Sequence, residues 1–152
     1  TAPLDLMHSL ITEHHGHSFA RKVSDWFMHT DFRPAAGPQR AGLVERIGVT
    51  DQAILNAIEA MENHISDPLN LQDLSRIAQV GERQLNRLFK NKLNISTMGY
   101  YRGLRLDLAQ NLLRNSSLSV TEISLATGFS GSAHFSSCYS QKFGGPPSSQ
   151  RR

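Results

Sequence analysis

The sequence predicts an all-α protein with two helix-turn-helix subdomains joined by a long helix, preceded by a short helical remnant of another domain. Three observations support this fold class. Apolar residues recur at helical spacing from residue 51 to residue 143, without any strand pattern. A short helix, a turn and a longer helix are predicted twice in that stretch. Serine, aspartate or asparagine stands before most of these helices, where such residues cap the first turn.

Composition excludes several classes of protein. The chain of 152 residues is 39% hydrophobic and 19% charged, which is typical of a globular protein. No apolar run approaches the roughly 20 residues that cross a bilayer, and the start has no signal-like segment, so we expect a cytoplasmic protein. The single cysteine, Cys138, cannot form an internal disulfide and is interpreted as a packing residue. The net charge of +3 lies entirely after Thr50, which favours an anionic partner for that part of the chain.

The first 50 residues divide into two segments. Apolar residues at helical spacing on either side of Gly16 predict helices within residues 1–30. We expect these helices to be the end of a truncated domain whose body lies outside this sequence. Residues 31–50 contain Pro34, Pro38 and three glycines without sustained periodicity, which predicts a linker.

The first subdomain is predicted to begin with a helix capped by Thr50 or Asp51 and ending before Pro68. The helix-turn-helix unit follows over about residues 71–93. Its first helix, 71–78, has Asn70 as its N-cap, and its buried stripe is expected to be Leu71, Leu74, Ile77 and Ala78. After a turn at residues 79–81, its second helix directs three apolar side chains inward: Leu85, Leu88 and Phe89.

A long helix over about residues 96–114 is predicted to join this unit to a second one. Ser96 is the expected cap of the long helix. Ser119 caps the first helix of the second unit, which covers about residues 120–143 and has its turn at Gly128. The two units and the helices around them are therefore expected to form one domain over residues 51–152.

The two units are copies of one pattern. LQDLSRIAQVGERQLNRLFKNKLN aligns with VTEISLATGFSGSAHFSSCYSQKFG if the second copy has one extra residue. The second helix of such a unit enters the major groove of DNA, with its early residues over the base edges. Apolar residues occupy both members of five aligned pairs: Leu71 and Val120, Leu74 and Ile123, Val80 and Phe129, Leu85 and Phe135, Phe89 and Tyr139.

The first unit has the chemistry that base reading needs. Arg83, Asn86 and Arg87 share one helix face, opposite the apolar residues. Arginine recognises guanine and asparagine recognises adenine, each good pair contributing about 1–3 kcal/mol of discrimination. Three further cations are expected to bind phosphates, which position the protein without reading sequence: Lys90, Lys92 and Arg102.

The second unit offers smaller side chains. Ser132, Ala133 and Ser137 are the base-contact candidates, and we expect weaker discrimination because hydroxyl groups bond bases with little selectivity. Small residues nevertheless allow the helix backbone to lie deep in the groove. The candidates for phosphate contact are His134, Ser136 and Lys142.

The stretch LRLDLAQNLLRNSSLSVTEISLATGFSGSAHFSSCYSQKFGGPP carries a family motif. Because of this motif, the chain from about residue 51 to residue 152 resembles the DNA-binding domain of AraC/XylS-type transcription regulators. The resemblance implies seven helices, two recognition helices in successive major grooves, and an activator that contacts RNA polymerase. The matching residues are Leu104, Arg105, Leu106, Ala109, Val120, Ile123, Ala126, Gly128, Phe129, His134, Phe135, Phe143, Gly144 and Pro147.

Three positions depart from the family pattern. Gln79 stands at a turn where the family commonly has glycine, and a positive φ strains any other residue by about 1 kcal/mol. Gly81 replaces the usual serine N-cap of the first recognition helix. Ser137 replaces a frequent arginine, which is the main reason to expect weak base reading by the second unit.

Residues 1–33 resemble the closing helices of the DJ-1/PfpI-type, amidotransferase-like domain that precedes this module in one branch of the family. That resemblance implies a preceding domain that binds a small-molecule effector and forms a dimer. It also implies the activation of genes for the catabolism of amino acids or of quaternary amines such as glycine betaine.

Three other classes of function compete with DNA binding. Five histidines within the first 29 residues permit a metal site, but no cysteine or firm carboxylate partner stands at ligand spacing, so surface or interface histidines are favoured. An enzyme is disfavoured because Cys138 lies in a recognition helix without a catalytic histidine and acid arrangement. No cofactor is expected. A helical protein-interaction module that does not read DNA is the remaining alternative.

Overall fold

The computed structural model describes Glu13 and residues 38–151. The predicted N-terminal helices and the histidines His8, His14, His15, His17 and His29 lie outside the described residues. Residues 38–151 form seven α-helices and one short 3₁₀-helix at Pro147–Gln150, with no strand, which confirms the all-α prediction. The helices are α1 (Pro38–Ile47), α2 (Gln52–Asn63), α3 (Leu71–Ala78), α4 (Glu82–Leu93), α5 (Thr97–Asn115), α6 (Val120–Ala126) and α7 (Ser132–Phe143).

Helix α1 lies within the stretch for which the sequence predicted a linker, residues 31–50. Leu43 and Val49 are 5% and 9% exposed and belong to the core of the first subdomain. The Arg46 guanidinium also bonds the Glu62 carboxylate of α2 at 2.6 Å. This part of the predicted linker is therefore folded. The large apolar residues of α1 are few and lie between Gly42 and Gly48, and Val49 follows Gly48, so their spacing alone did not indicate a helix.

Side-chain caps define where the other helices begin. The Asp51 carboxylate accepts hydrogen bonds from the Ala53 and Ile54 amides at the start of α2. Asn70 caps α3 through the Asp73 amide at 2.8 Å, and Ser96 caps α5 through the Gly99 amide at 3.1 Å. Ser119 forms a capping box with Glu122 at the start of α6. Each cap contributes roughly 1 kcal/mol. Asn70, Ser96 and Ser119 were predicted as caps, and Asp51 was one of two candidates with Thr50.

Two cores lie along α5. The first is enclosed by α1–α4 and the first turns of α5, and Tyr101 is its contribution from α5. The second is enclosed by α6, α7 and the rest of α5, and its largest fully buried side chains are Leu113, Leu118, Ile123, Phe135 and Tyr139. Because α5 contributes to both cores, the two helix-turn-helix units are joined through one continuous helix.

One predicted core residue, Ile77, is exposed, whereas Leu71 and Leu88 are partly buried and pack against the core. Ile77 is 42% exposed, whereas Leu74 and Ala78 on the same short helix α3 are buried. Residues four apart share a helix face, and Ile77 lies about 100° around the helix from Ala78, at the edge of that face. The prediction that Ile77 belongs to the buried stripe was wrong.

The two helix-turn-helix turns have the same backbone hydrogen bonds. At the end of α3, the Val80 amide bonds the Ser75 carbonyl oxygen and the Gln79 amide bonds the Arg76 carbonyl oxygen, both at 3.2 Å. The end of α6 has the same pattern. There the Phe129 amide bonds the Ser124 carbonyl oxygen at 2.9 Å and the Gly128 amide bonds the Leu125 carbonyl oxygen at 3.1 Å. Both turns are Schellman motifs, so the repeat seen in the sequence extends to the conformation of the turn.

Candidate nucleic-acid interface

The second helix of each unit, α4 or α7, has one buried and one exposed face. Leu85 and Phe89 of α4 and the aligned Phe135 and Tyr139 of α7 are fully buried. Both helices begin after a glycine, Gly81 or Gly131, that forms no side-chain cap. The buried aromatic residues hold each helix against its subdomain, and the opposite face is open to a partner.

Helix α4 carries a cationic exposed face. Arg83, Arg87 and Lys90 are all exposed, and their spacing of four and three residues places them on one side of the helix. Within residues 38–151 none of these side chains forms an ion pair, unlike Arg46 or Lys142. The two guanidinium groups therefore remain available for an anionic or hydrogen-bonding partner.

Asn86 does not lie on that open face. Its Oδ1 accepts a hydrogen bond from the Thr97 amide at 3.1 Å, and the residue is half-buried. Thr97 begins α5, where the first amides of a helix have no partner within the helix. Reading adenine would require both Oδ1 and Nδ2 of Asn86. In this conformation Asn86 links α4 to α5, which differs from the predicted base contact.

An exposed amide that sequence reasoning missed lies on the same face. Gln84 follows Arg83 directly and precedes Arg87 by three residues, and it is exposed. A glutamine side chain can form the same pair of bonds with adenine as asparagine. The signal was present in the sequence as a polar residue in the first turn of the recognition helix.

Helix α7 presents small and weakly polar groups. The residues aligned with Arg83, Gln84 and Arg87 are Ala133, His134 and Ser137, and all six are exposed. The His134 ring packs edge-on against Phe129 at 5.7 Å between centroids. Two other candidates differ in accessibility, Ser132 being exposed and Ser136 half-buried.

Lys142 has partners inside the protein. Its ammonium group donates to the Asp107 carboxylate at 2.7 Å and to the Gly103 carbonyl oxygen at 3.1 Å, both on α5. The predicted phosphate contact therefore competes with an ion pair that ties α7 to α5. The other predicted phosphate-binding cations, Lys92 and Arg102, are exposed and form no ion pair within the described part of the chain.

No group of three or more His, Cys, Asp or Glu side chains is placed to hold a metal ion in the part of the chain that the structure describes. Cys138 is a free, buried cysteine within α7, in agreement with a packing role. Among the described helices, none is both long and apolar enough to cross a membrane.

Two helix-turn-helix units with exposed recognition helices define a DNA-binding domain. A family model described as a helix-turn-helix domain matches residues 74–152. A solved AraC-type regulator from Chromobacterium violaceum is 40% identical and superposes with a TM-score of 0.63 over 65% of this chain and 88% of that chain. The chain belongs to the AraC-type family of helix-turn-helix transcription regulators, as the sequence motif implied.

Longer relatives are similar over almost the whole chain. The transcriptional regulator GlxA of Rhizobium meliloti is 44% identical over 151 residues, which are 99% of this chain and 47% of that protein. The regulator CdhR of Pseudomonas aeruginosa is 40% identical over 151 residues, 99% of this chain and 45% of that protein. The chain thus spans about half the length of the curated relatives it matches. These relatives are transcription regulators and not enzymes.

Proposed function

We propose that this regulator reads promoter DNA through α4 and α7, inserted into successive major grooves. The observation that carries the proposal is the exposed face of α4. There Arg83 and Arg87 form no ion pair with any residue that the structure describes, and the buried Leu85 and Phe89 lie behind them. A rigid helix with free guanidinium groups suits bidentate recognition of guanine. Gln84 joins them as the candidate for adenine, in place of Asn86.

The second recognition helix adds affinity more than specificity in this proposal. Ser132, Ala133 and Ser137 approach the bases, and Ser136 and His134 approach phosphates. None of these side chains offers a planar, bidentate donor set, which is what strong base discrimination requires. The exposed methyl group of Ala133 suits the methyl group of thymine.

Exposed cations around α4 supply the phosphate contacts that fix the position of the protein along the DNA. Lys90, Lys92 and Arg102 are exposed and are proposed to meet phosphates. Lys142 is removed from this set because Asp107 already holds its ammonium group. Each phosphate contact releases counterions, so binding should weaken steeply as salt rises.

For the whole protein we propose an activator of catabolic genes for amino acids or quaternary amines, acting in the cytoplasm with RNA polymerase. The aligned relatives extend well beyond this chain, since it covers 47% and 45% of their lengths. A DJ-1/PfpI-type domain that binds the effector and forms the dimer is proposed for that additional length. Residues 1–30 would be its closing helices and residues 51–152 the DNA-binding domain.

Selection of bound duplexes from a random pool tests the reading of DNA. The expected result is two half-sites about one helical turn apart, with the better-defined one containing guanine opposite α4. Selected duplexes should bind far more tightly than random duplexes of equal length. Equal binding to all sequences would instead favour the helical protein-interaction module without specific DNA reading.

A further inference from the structure

Two loops bring the two subdomains into direct contact beside α5. The loop at residues 64–69, between α2 and α3, lies against the turn at residues 127–129, between α6 and α7. A Cβ atom added to Gly128 would overlap the Ile65 carbonyl oxygen and would lie 2.6 Å from Cγ of Pro68. No side chain other than hydrogen fits there, because the Ile65 backbone and the Pro68 ring lie directly against the Gly128 backbone.

Tyr101 of α5 holds the 64–69 loop against that helix. Its hydroxyl donates to the His64 carbonyl oxygen and accepts from the Leu69 amide at 3.1 Å. The side chain is 1% exposed and also belongs to the first core. Both ends of the 64–69 loop are therefore held to one residue of the joining helix.

Arg105, one turn further along α5, holds the turn at residues 127–129 against that helix. Its Nη1 donates to the Gly128 carbonyl oxygen at 2.8 Å and reaches the Thr127 carbonyl oxygen at 3.5 Å. The guanidinium carbon lies 4.5 Å from the centre of the Phe129 ring and 5.6 Å from that of Tyr101. One side chain thus bonds the backbone of the second turn and contacts aromatic rings from both subdomains.

The second subdomain is also linked to α5 at another point. Lys142 of α7 bonds Asp107 and the Gly103 carbonyl oxygen, two residues to either side of Arg105. It restrains the far end of the second recognition helix, whereas Arg105 restrains the turn that precedes that helix. The lysine pair is exposed, so solvent screening makes it the weaker of the two.

We infer that Arg105 is a positioning residue that sets the angle between the two recognition helices, and thereby the spacing of half-sites that the protein accepts. The inference rests on the proposed reading of DNA by both helices. Adding one base pair moves the second half-site by about 3.4 Å and rotates it by about 35°. Two recognition helices that are held rigidly cannot both reach their half-sites at the altered spacing. If the contact between the subdomains is loosened, they can.

The test measures affinity for a spacing series built from the selected site, with one base pair added or removed between the half-sites. The unaltered chain should lose roughly tenfold or more in affinity at each altered spacing. Arg105→Ala should bind the best spacing more weakly and lose about threefold or less when the spacing changes. Arg114→Ala is the matched control, because Arg114 lies exposed on the same helix and bonds the Gln150 side chain, away from the turn at residues 127–129.

A DNA-free measurement separates this inference from the proposed function. Spin labels on N91C and Q141C, in a Cys138→Ala background, report the distance between α4 and α7. The inference predicts a single narrow distance distribution that broadens in Arg105→Ala and not in Arg114→Ala. If Arg105→Ala does not fold, Arg105→Lys takes its place, since lysine keeps the charge but lacks the planar fork.

Each outcome decides a different question. An unchanged spacing profile and an unchanged distance distribution in the Arg105 variants would overturn the inference. If the unaltered chain selected no sequence, the proposed reading of DNA would fail, while the distance distribution would still show whether Arg105 holds the helices in place.

Discussion

Gln79 and Gly128 occupy the same place in the two helix-turn-helix units, and both adopt the left-handed conformation, with φ of 59° and 77°. Their backbone hydrogen bonds are equivalent, but their surroundings are not. Gln79 is exposed, whereas Gly128 is in close contact with the backbone of the 64–69 loop. Substitutions at the two positions should therefore have opposite effects on stability.

Gln79→Gly should stabilise the chain by about 0.5–1 kcal/mol. The left-handed conformation costs a residue with a Cβ atom roughly 1–2 kcal/mol, and part of that gain is offset by the greater unfolded-state entropy of glycine. Urea unfolding measures the change. Gln79→Ala keeps the Cβ atom in the same conformation and should give no such gain; equal stabilisation by both variants would contradict the explanation.

Gly128→Ala should destabilise the second subdomain by about 2–4 kcal/mol. The substitution adds the left-handed strain to an overlap with the Ile65 carbonyl oxygen, and overpacking alone typically costs about 1–3 kcal/mol. Gly131→Ala is the matched control, because Gly131 has extended backbone and nothing within 4 Å of an added Cβ. Similar losses in the two variants would show that the contact with the loop carries little energy.

Arg83→Ala and Arg87→Ala should each weaken binding to the selected site by about 1–3 kcal/mol and relax the sequence preference. Lys90→Ala should weaken selected and random duplexes alike and lower the salt slope by about one unit. Titrations against both duplexes at several salt concentrations measure these effects. Uniform losses for all three variants would contradict the division between base reading and phosphate contact.

Asn86 and Gln84 form a second pair with opposite expectations. Asn86→Ala leaves the buried Thr97 amide without its partner and should cost about 1–3 kcal/mol of stability, with the preference for selected over random DNA retained. Gln84→Ala should leave stability within about 0.5 kcal/mol and reduce that preference. Unfolding and binding measurements on both variants decide which amide reads bases, and a reversed result would restore Asn86 as the reader.

Stability should fall in alkaline solution. Burial raises the pKa of all three tyrosines, Tyr100, Tyr101 and Tyr139, because it disfavours the charged phenolate. The folded state therefore holds these protons more tightly than the unfolded state. Stability is intact below the ordinary tyrosine pKa of about 10 and decreases as pH rises through the raised values. Tyr101→Phe should make the decrease shallower, as denaturant midpoints across this range would show.

Local sequence signals were sufficient for most of the fold. Asp51, Asn70, Ser96 and Ser119 cap the helices they were expected to cap, because an N-cap depends on residues within one turn of it. The left-handed turn at Gln79 was likewise predicted, from its alignment with a glycine position.

The remaining features depend on contacts between segments distant in the chain. Asn86 is turned toward α5 by an amide eleven residues away, and Lys142 by a carboxylate thirty-five residues away. Helix α1 is stabilised by the face of α2 that covers it. A helical wheel shows which side of a helix is polar, but it does not show which polar groups have partners in a neighbouring helix.

The helix at Pro38–Ile47 has a mechanical consequence. Half of the expected twenty-residue linker is a helix about 15 Å long, and Leu43 and the Arg46–Glu62 ion pair hold it to the first subdomain. A pulling force on the chain at Pro38 therefore acts on α1 and on the first helix-turn-helix subdomain before it reaches the second.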